Sequence, residues 1–432
     1  MFTSESYLSK IAAGLRNNSI DANQYIEEIC DSINKYDDKI KSLLPEYKRL
    51  ERLKNEISIL KKRFPNLDKR PLLFGVPIGI KDIISVNGFE TRAGSKLPPE
   101  LFKGNEASVV TKLKNAGAII LGKTESTEFA YFEPGPTRNP HNLEHTPGGS
   151  SSGSAAAVAC GFTPLALGTQ TIGSISRPAA YCGIVGFKPS FNRIASDGVI
   201  PFSTSADHVG FFTQDLEGVN LTASILCDNW KITTNEQNKK PVIGVVEGNY
   251  LNQASDEILN HYEKKINELQ KAGFTVKRLD LFGNIDEINT KHKKMTAAEF
   301  SEVHNQWFQQ YEDLYRKGTK DLILEGKKIT NAELTESIKG REEFQNKIEK
   351  TKSDNKIDIW LSPSTTTTAP KGTNTGSPLM NLPWTYSGLP TITIPAGKSE
   401  KNLPIGLQLA GSFYKDEELL EYTKMINENL NN

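Results

Sequence analysis

The sequence carries no surplus of charge: 52 lysines and arginines are matched by 52 aspartates and glutamates. A balance of zero argues against a broad nucleic-acid footprint and against general attraction to acidic surfaces, while leaving room for a small charged pocket. Cysteine is scarce. Cys30, Cys160, Cys182 and Cys227 lie far apart with no CxxC or Cys/His ligand spacing. They read as buried thiols of a reducing compartment, not as a disulfide framework. The six histidines are scattered too. His141 and His145 are four apart, but in a loop-like run with Pro140, Asn142 and Pro147, so no metal site is expected there. No apolar run approaches the eighteen or so residues of a membrane-spanning helix. The opening Met1-Phe2-Thr3-Ser4-Glu5-Ser6 lacks the basic and apolar regions of a signal peptide. The expectation is a cytoplasmic protein with neither nucleic acid nor membrane as partner.

What is present is enough for one large core. The chain has 432 residues, 37% hydrophobic and 24% charged, the balance of a globular protein and not of a disordered one. Residues 1–65 read as helices. Asp21 looks like a helix start, and Leu50, Leu53, Ile57 and Leu60 make one apolar face, packed on a core or offered to a partner. From about residue 70 the texture changes. Leu73 to Ile80 is a buried strand, Asn105 to Gly117 a helix and Ala118 to Gly122 a strand, the unit that builds parallel sheets. The second half repeats this pattern around a charged helical stretch at 285–350, expected to cover the site. No internal repeat or linker interrupts the chain. The reading is a single α/β domain over 1–432, a large mixed, mostly parallel twisted sheet with helices on both faces, its core in 70–215.

Three segments carry chemistry. In Gly79-Ile80-Lys81-Asp82 a lysine follows a buried strand. Desolvation there disfavours the ammonium, so such a lysine can serve as a neutral base. Gly148-Gly149-Ser150-Ser151-Ser152-Gly153-Ser154 is a glycine-permitted serine run before an alanine-rich helix. It lacks the Lys-Ser/Thr ending of a phosphate-binding P-loop. In Gly168-Thr169-Gln170-Thr171-Ile172-Gly173-Ser174 a serine follows a turn of small residues whose successive N–H groups can converge on an oxyanion. A serine attacking an amide needs a base. There is no Gly-x-Ser-x-Gly elbow with a placed histidine, although by sequence alone the six histidines stay open. A serine–lysine pair is the physical alternative.

Together these segments resemble the amidase signature family, over residues 70–215 and again over 357–412. Gly148 to Ala155 matches its Gly-Gly-Ser-Ser-x-Gly-Ser-Ala signature, and Gly173 to Ala179 its Gly-Ser-x-x-x-Pro-Ala segment. The resemblance implies Lys81 as base, Ser150 as relay on a cis peptide, and Ser174 as nucleophile, 24 residues beyond the relay. It implies an oxyanion hole from the N–H groups of Thr171, Ile172, Gly173 and Ser174, and neither metal nor organic cofactor. Where many members carry Asp-Thr-Gly-Gly-Ser, this chain has Gln170-Thr171-Ile172-Gly173-Ser174, a version that resembles a subgroup of bacterial amidases. The function implied is hydrolysis of a small-molecule amide. The alternatives are a urea-type amide hydrolase, an amidotransferase A-like subunit, or a scaffold without activity. Ser151, Gln170, Arg177, Tyr131 and Trp384 are the candidates for contact with substrate. Arg177 reads equally well as half of a structural ion pair. Trp384 is placed near the site only by the match of Asn381 to Gly388 to the family. Phe129, Phe132, Trp307, Phe308 and Tyr386 could line an aromatic pocket or be plain core. A homodimer is no more than a guess.

Overall fold

The computed structural model describes residues 2–231 and 239–430. Ten strands form one sheet: β1 (Pro77–Lys81), β2 (Ile119–Thr124), β3 (Leu165–Gln170), β4 (Val185–Lys188), β5 (His208–Thr213), β6 (Ile243–Val246), β7 (Val276–Leu279), β8 (Ile359–Pro363), β9 (Thr391–Lys398) and β10 (Pro404–Ala410), in the order β2-β1-β3-β5-β4-β9-β10-β8-β6-β7. The fold class is the expected mixed α/β sheet, but its parallel share is smaller than expected. Parallel pairing holds only at the flanks, β1 with β2 and β3, β6 with β7 and β8. The five pairs from β3 to β8 across the centre are antiparallel. The reason lies in β4 and β5, short strands with Gly186 and Gly210 at their centres, which hydrophobic patterning does not reveal. They reverse the chain direction beside β3.

The helices are α1 (Leu8–Asn17), α2 (Ala22–Ile40), α3 (Arg49–Arg63), α4 (Ser108–Asn115), α5 (Ser152–Ala159), α6 (Ser176–Cys182), α7 (Leu216–Leu226), α8 (Asp256–Lys271), α9 (Ile285–Val303), α10 (Asn305–Tyr311), α11 (Lys317–Gly326), α12 (Asn331–Asp354), α13 (Leu382–Tyr386) and α14 (Asp416–Leu430). Asp21 caps α2, its carboxylate accepting from the N–H groups of Asn23 and Gln24. The apolar face of α3 buries Leu53, Ile57 and Leu60 against the core, leaving Ile59 exposed. Each such side chain contributes roughly 1.5–3 kcal/mol.

Small residues decide what happens around β1 and β3. All eight residues of α5 are buried, and its alanines let the helix lie close on the sheet. Gly153 is indispensable there: a Cβ would sit 2.2 Å from the Ser42 carbonyl oxygen and 2.4 Å from the Glu125 nitrogen. Because β1 and β3 are parallel and adjacent, their carboxyl ends, Lys81 and Gln170, reach the same edge. That is the edge where open α/β sheets hold ligands.

Candidate active site

Lys81 ends β1 with no solvent exposure. Its Nζ lies 2.7 Å from Ser150 Oγ and 2.8 Å from Thr169 Oγ1. The next lysine across the β1–β2 ladder makes a useful contrast. Lys123 is paired with the buried carboxylate of Asp82 at 2.9 Å, whereas Lys81 meets hydroxyls. Burial therefore pulls the Lys81 pKa well below the ordinary lysine range. The more distant carboxylate of Asp207 offsets part of that pull, and the Arg177 charge adds to it.

The serine run is placed by its own hydroxyls. The Gly149–Ser150 peptide is cis. Ser151 Oγ accepts from Thr169 N–H at 3.3 Å and donates to Thr169 O at 3.2 Å. Ser152 donates to Gly148 O and Ser154 to Leu167 O, each at 2.8 Å. Ser151 thus ties α5 to the end of β3, beneath Lys81. It fastens the network and does not face a substrate.

The Ser174 loop runs from the end of β3 into α6. Gln170 is fully buried and its amide is used at both ends. Oε1 accepts from the N–H groups of Ile175 (2.7 Å) and Ser176 (2.9 Å), and Nε2 donates to Thr385 Oγ1 at 2.9 Å. Two N–H donors on one atom identify it as the oxygen. This corrects Gln170 as a substrate contact and explains the Gln in place of Asp: a carboxylate could accept both N–H groups, but only an amide also donates to Thr385. With Ile175 and Ser176 capped in this way, the N–H groups of Thr171, Ile172, Gly173 and Ser174 donate to no backbone carbonyl among the described residues. Gly173 must be glycine because a Cβ would lie 2.4 Å from Asn381 Oδ1. Of Lys81, Ser150 and Ser174, Ser174 is the most exposed at 7%, against 0% and 2%, so solvent access increases along that series.

Arg177 follows on α6 and is 2% exposed. One guanidinium nitrogen donates to Gly149 O at 2.5 Å, tying α6 to the peptide before Ser150. Nε and Nη1 are buried without partners, as is the nearby Tyr181 hydroxyl. Among the described residues no carboxylate pairs with this charge, and burial brings its pKa down to about 10. The structural ion pair is not formed. Phe132 is the aromatic ring over the guanidinium, at 5.8 Å. Tyr131 is half-buried in a cluster with Phe132, Phe202 and Phe300.

Trp384 requires correction. It is fully enclosed, its indole N–H donating to Ser362 Oγ at 3.1 Å and its ring packed on Phe282. Its neighbour Thr385 is the residue that hydrogen-bonds to the loop, Oγ1 donating to Ile172 O at 2.7 Å, while Asn381 of the same segment packs on Gly173. Successive helical residues point about 100° apart, so one side chain enters the core and the next the loop. Phe129 is likewise core, packed on Phe102, His304 and Tyr315.

Two residues at the site carry no sequence signal. Asp207, half-buried, accepts from Thr171 Oγ1 at 2.5 Å and from the N–H groups of Phe202 and Ser203. Burial pushes its carboxyl up to about 6. His292, on α9, donates from Nε2 to Thr171 O at 2.9 Å. An isolated polar residue on an amphipathic helix gives no warning that it points inward.

A buried lysine against a serine hydroxyl, and a second serine whose loop carries backbone N–H groups donating to no backbone carbonyl among the described residues, lie toward the carboxyl ends of β1 and β3 in a mixed α/β sheet. The family model described as Amidase matches residues 24–420, and the chain belongs to that family. It is 31% identical to the A subunit of glutamyl-tRNA(Gln) amidotransferase from Halothermothrix orenii, over 94% of each chain. A crystal structure of an amidase superposes with a TM-score of 0.88 at 26% identity, covering 98% of this chain and 100% of that one. A protein from a vestigial complex bearing on the origins of an s-triazine catabolic enzyme superposes with a TM-score of 0.87 at 26% identity, over 98% of each chain. The protein is thus an enzyme of the amidase type, acting on C–N amide bonds. No helix among the described residues is long and apolar enough to cross a membrane.

Proposed function

We propose that the protein hydrolyses a small carboxylic acid amide, through an acyl-enzyme on Ser174, to the acid and ammonia or an amine. The observation that carries this reading is Lys81 Nζ, fully buried, 2.7 Å from Ser150 Oγ and without a carboxylate partner among the described residues. As the neutral amine, Lys81 takes the Ser150 proton while Ser150 takes that of Ser174. Ser174 Oγ then bonds to the amide carbon, and the carbonyl electrons move onto oxygen, facing the N–H groups of residues 171–174. Collapse breaks the C–N bond, the proton returns along the same path to the leaving nitrogen, and water releases the acid by the reverse relay. Arg177, with two unpartnered donors and no counter-charge, favours an acyl portion that ends in an anionic or carbonyl oxygen, as a dicarboxylic half-amide or a urea-derived acid would supply. A second reading, an ammonia-supplying component of an amidotransferase, is favoured by the 31% identity to the Halothermothrix orenii protein.

The test is ammonia and amine release from a panel of aliphatic, aryl, urea-type and ω-carboxyl amides, with Ser174→Ala beside the wild type. Turnover abolished by the substitution supports the nucleophile, and preference for the carboxyl-bearing amides supports the role of Arg177. Activity surviving in Ser174→Ala sinks the mechanism. Turnover of glutamine alone, rising when the remaining components of an amidotransferase are added, would establish the second reading instead.

A further inference from the structure

Peptide planarity links the loop to a distant helix. In a trans peptide the C=O of one residue and the N–H of the next point in opposite directions, so fixing one fixes the other. The Thr171 carbonyl shares its peptide plane with the Ile172 N–H, and the Ile172 carbonyl shares its plane with the Gly173 N–H. Among the described residues each of these carbonyls has a single side-chain donor: His292 Nε2 at 2.9 Å for Thr171 O, and Thr385 Oγ1 at 2.7 Å for Ile172 O. The two donors stand on α9 and α13, 121 and 213 residues along the chain from their acceptors.

We propose that His292 is a positioning residue which, by holding the Thr171 carbonyl, aims the Ile172 N–H at the oxyanion, with Thr385 doing the same for the Gly173 N–H. The geometry around His292 suits this task. The ring is buried at 1% exposure, stands edge-on to Tyr386, and has no partner at Nδ1, so the proton belongs on Nε2. Burial brings its pKa down to about 4, and the imidazole is neutral under ordinary conditions. On the other side of Thr171, the side-chain hydroxyl donates to Asp207, so the residue is gripped from two directions. The grip accounts for the isoleucine at position 172. A β-branched residue keeps its N–H in the hole without the freedom of glycine because the preceding carbonyl is held from outside. Through His292, the helical cover also sets the geometry of the reacting centre.

The inference rests on acyl transfer at Ser174, which Ser174→Ala tests separately: retained turnover in that variant refutes acyl transfer itself, whereas the measurements below bear only on the aim of the loop. His292→Phe keeps the volume and removes the donor, His292→Gln restores a donor, and Thr385→Val removes the second donor at constant shape. For each, kcat and KM are measured on the best amide of the panel, together with the affinities for a phenylboronic acid, which forms a tetrahedral adduct on serine, and for the product acid, which does not. His292→Phe should lower kcat on the order of 10–100-fold, less than the ~10²–10³ lost with a whole oxyanion donor. KM should hold, boronate affinity should fall by a similar factor, product affinity should be unchanged, and His292→Gln should recover most of the loss. Wild-type kcat and boronate affinity in His292→Phe would overturn the proposal. So would a fall in kcat that leaves the ratio of boronate to product affinity unaltered, because that is the pattern of a merely structural residue. Should His292→Phe fail to fold, Thr385→Val decides the matter by the same ratio.

Discussion

The Ser174 loop has two sides, and they differ in kind. On one side stand Lys81, Ser150, Ser151 and Thr169, on β1, β3 and the serine run, all within residues 81–169. These residues carry the groups of the proposed proton relay or touch them. On the other stand His292, Asn381 and Thr385, from the second half of the chain, and each meets loop backbone: the carbonyls of Thr171 and Ile172, and Gly173. In the proposed mechanism the first side supplies reactive groups and the second supplies direction. Changes on the first side should therefore remove catalysis while sparing the fold, whereas those on the second should degrade both in proportion to what they hold.

The largest effect belongs to the first side. Ser174→Ala and Lys81→Met should each lower kcat by ~10⁴ or more, as loss of a residue from a concerted set does, measured as amine release. Lys81→Met should leave the thermal midpoint within a few degrees of wild type, since replacing a buried amine with an apolar chain of similar length removes a desolvation cost. A collapse in stability would show that Lys81 is a structural member of the core.

Gln170→Leu comes next and belongs to both sides. It leaves two buried N–H groups and the Thr385 hydroxyl short of partners, at about 1–3 kcal/mol for each such group. Urea unfolding should register the loss, and kcat should fall by ~10²-fold as the loop slackens, in the range of a lost oxyanion donor. Unchanged stability would mean that the loop is held elsewhere.

Arg177→Leu separates binding from chemistry. The expected outcome is a KM for ω-carboxyl amides raised roughly 10–100-fold, the loss of a charged hydrogen-bond partner, with neutral amides little affected. Equal loss on both would assign Arg177 to holding the Gly149 peptide alone.

Acid should weaken the fold through the second side. His292 and His304 have pKa values brought down by burial to about 4 and about 3, against an ordinary value near 6.5. The unfolded chain binds their protons first, so stability is full above about 6.5 and falls as the pH drops toward 4. Asp207 and Glu125, pushed up by burial to about 6 and about 7, work in the opposite direction, so the share of His292 is read as the difference between wild type and variant. Going from pH 7 to pH 5, the urea midpoint should change less unfavourably in His292→Phe than in the wild type; an identical pH dependence in the two would refute this assignment. Smallest of all is Trp384→Phe, which should cost about 1 kcal/mol for one hydrogen bond and leave KM unchanged. A shift in KM would return the ring to the substrate pocket.

Much of this is legible in the sequence because the reactive groups come in short, ordered segments. The strand before Lys81, the serine run and the small-residue turn can each be read, and so can the cap at Asp21 and the apolar face of α3. β4 and β5 cannot, since four and six residues centred on glycine carry no periodic signal. The stretch Asn381 to Gly388 is recognisable as near the site, yet Thr385 and not Trp384 is the residue that reaches the loop.

Sequence by itself determined the inventory: which hydroxyls and which amine exist, in which order, and where glycine and alanine let backbones approach. Tertiary structure alone decided how those groups behave. Whether Lys81 has a counter-ion, whether Arg177 is left without one, and where the Ile172 and Gly173 N–H groups point all depend on neighbours brought from far along the chain. A pKa is set by surrounding charge and solvent, and a peptide's direction by whatever holds its carbonyl, and neither is a property of the residue's own place in the sequence.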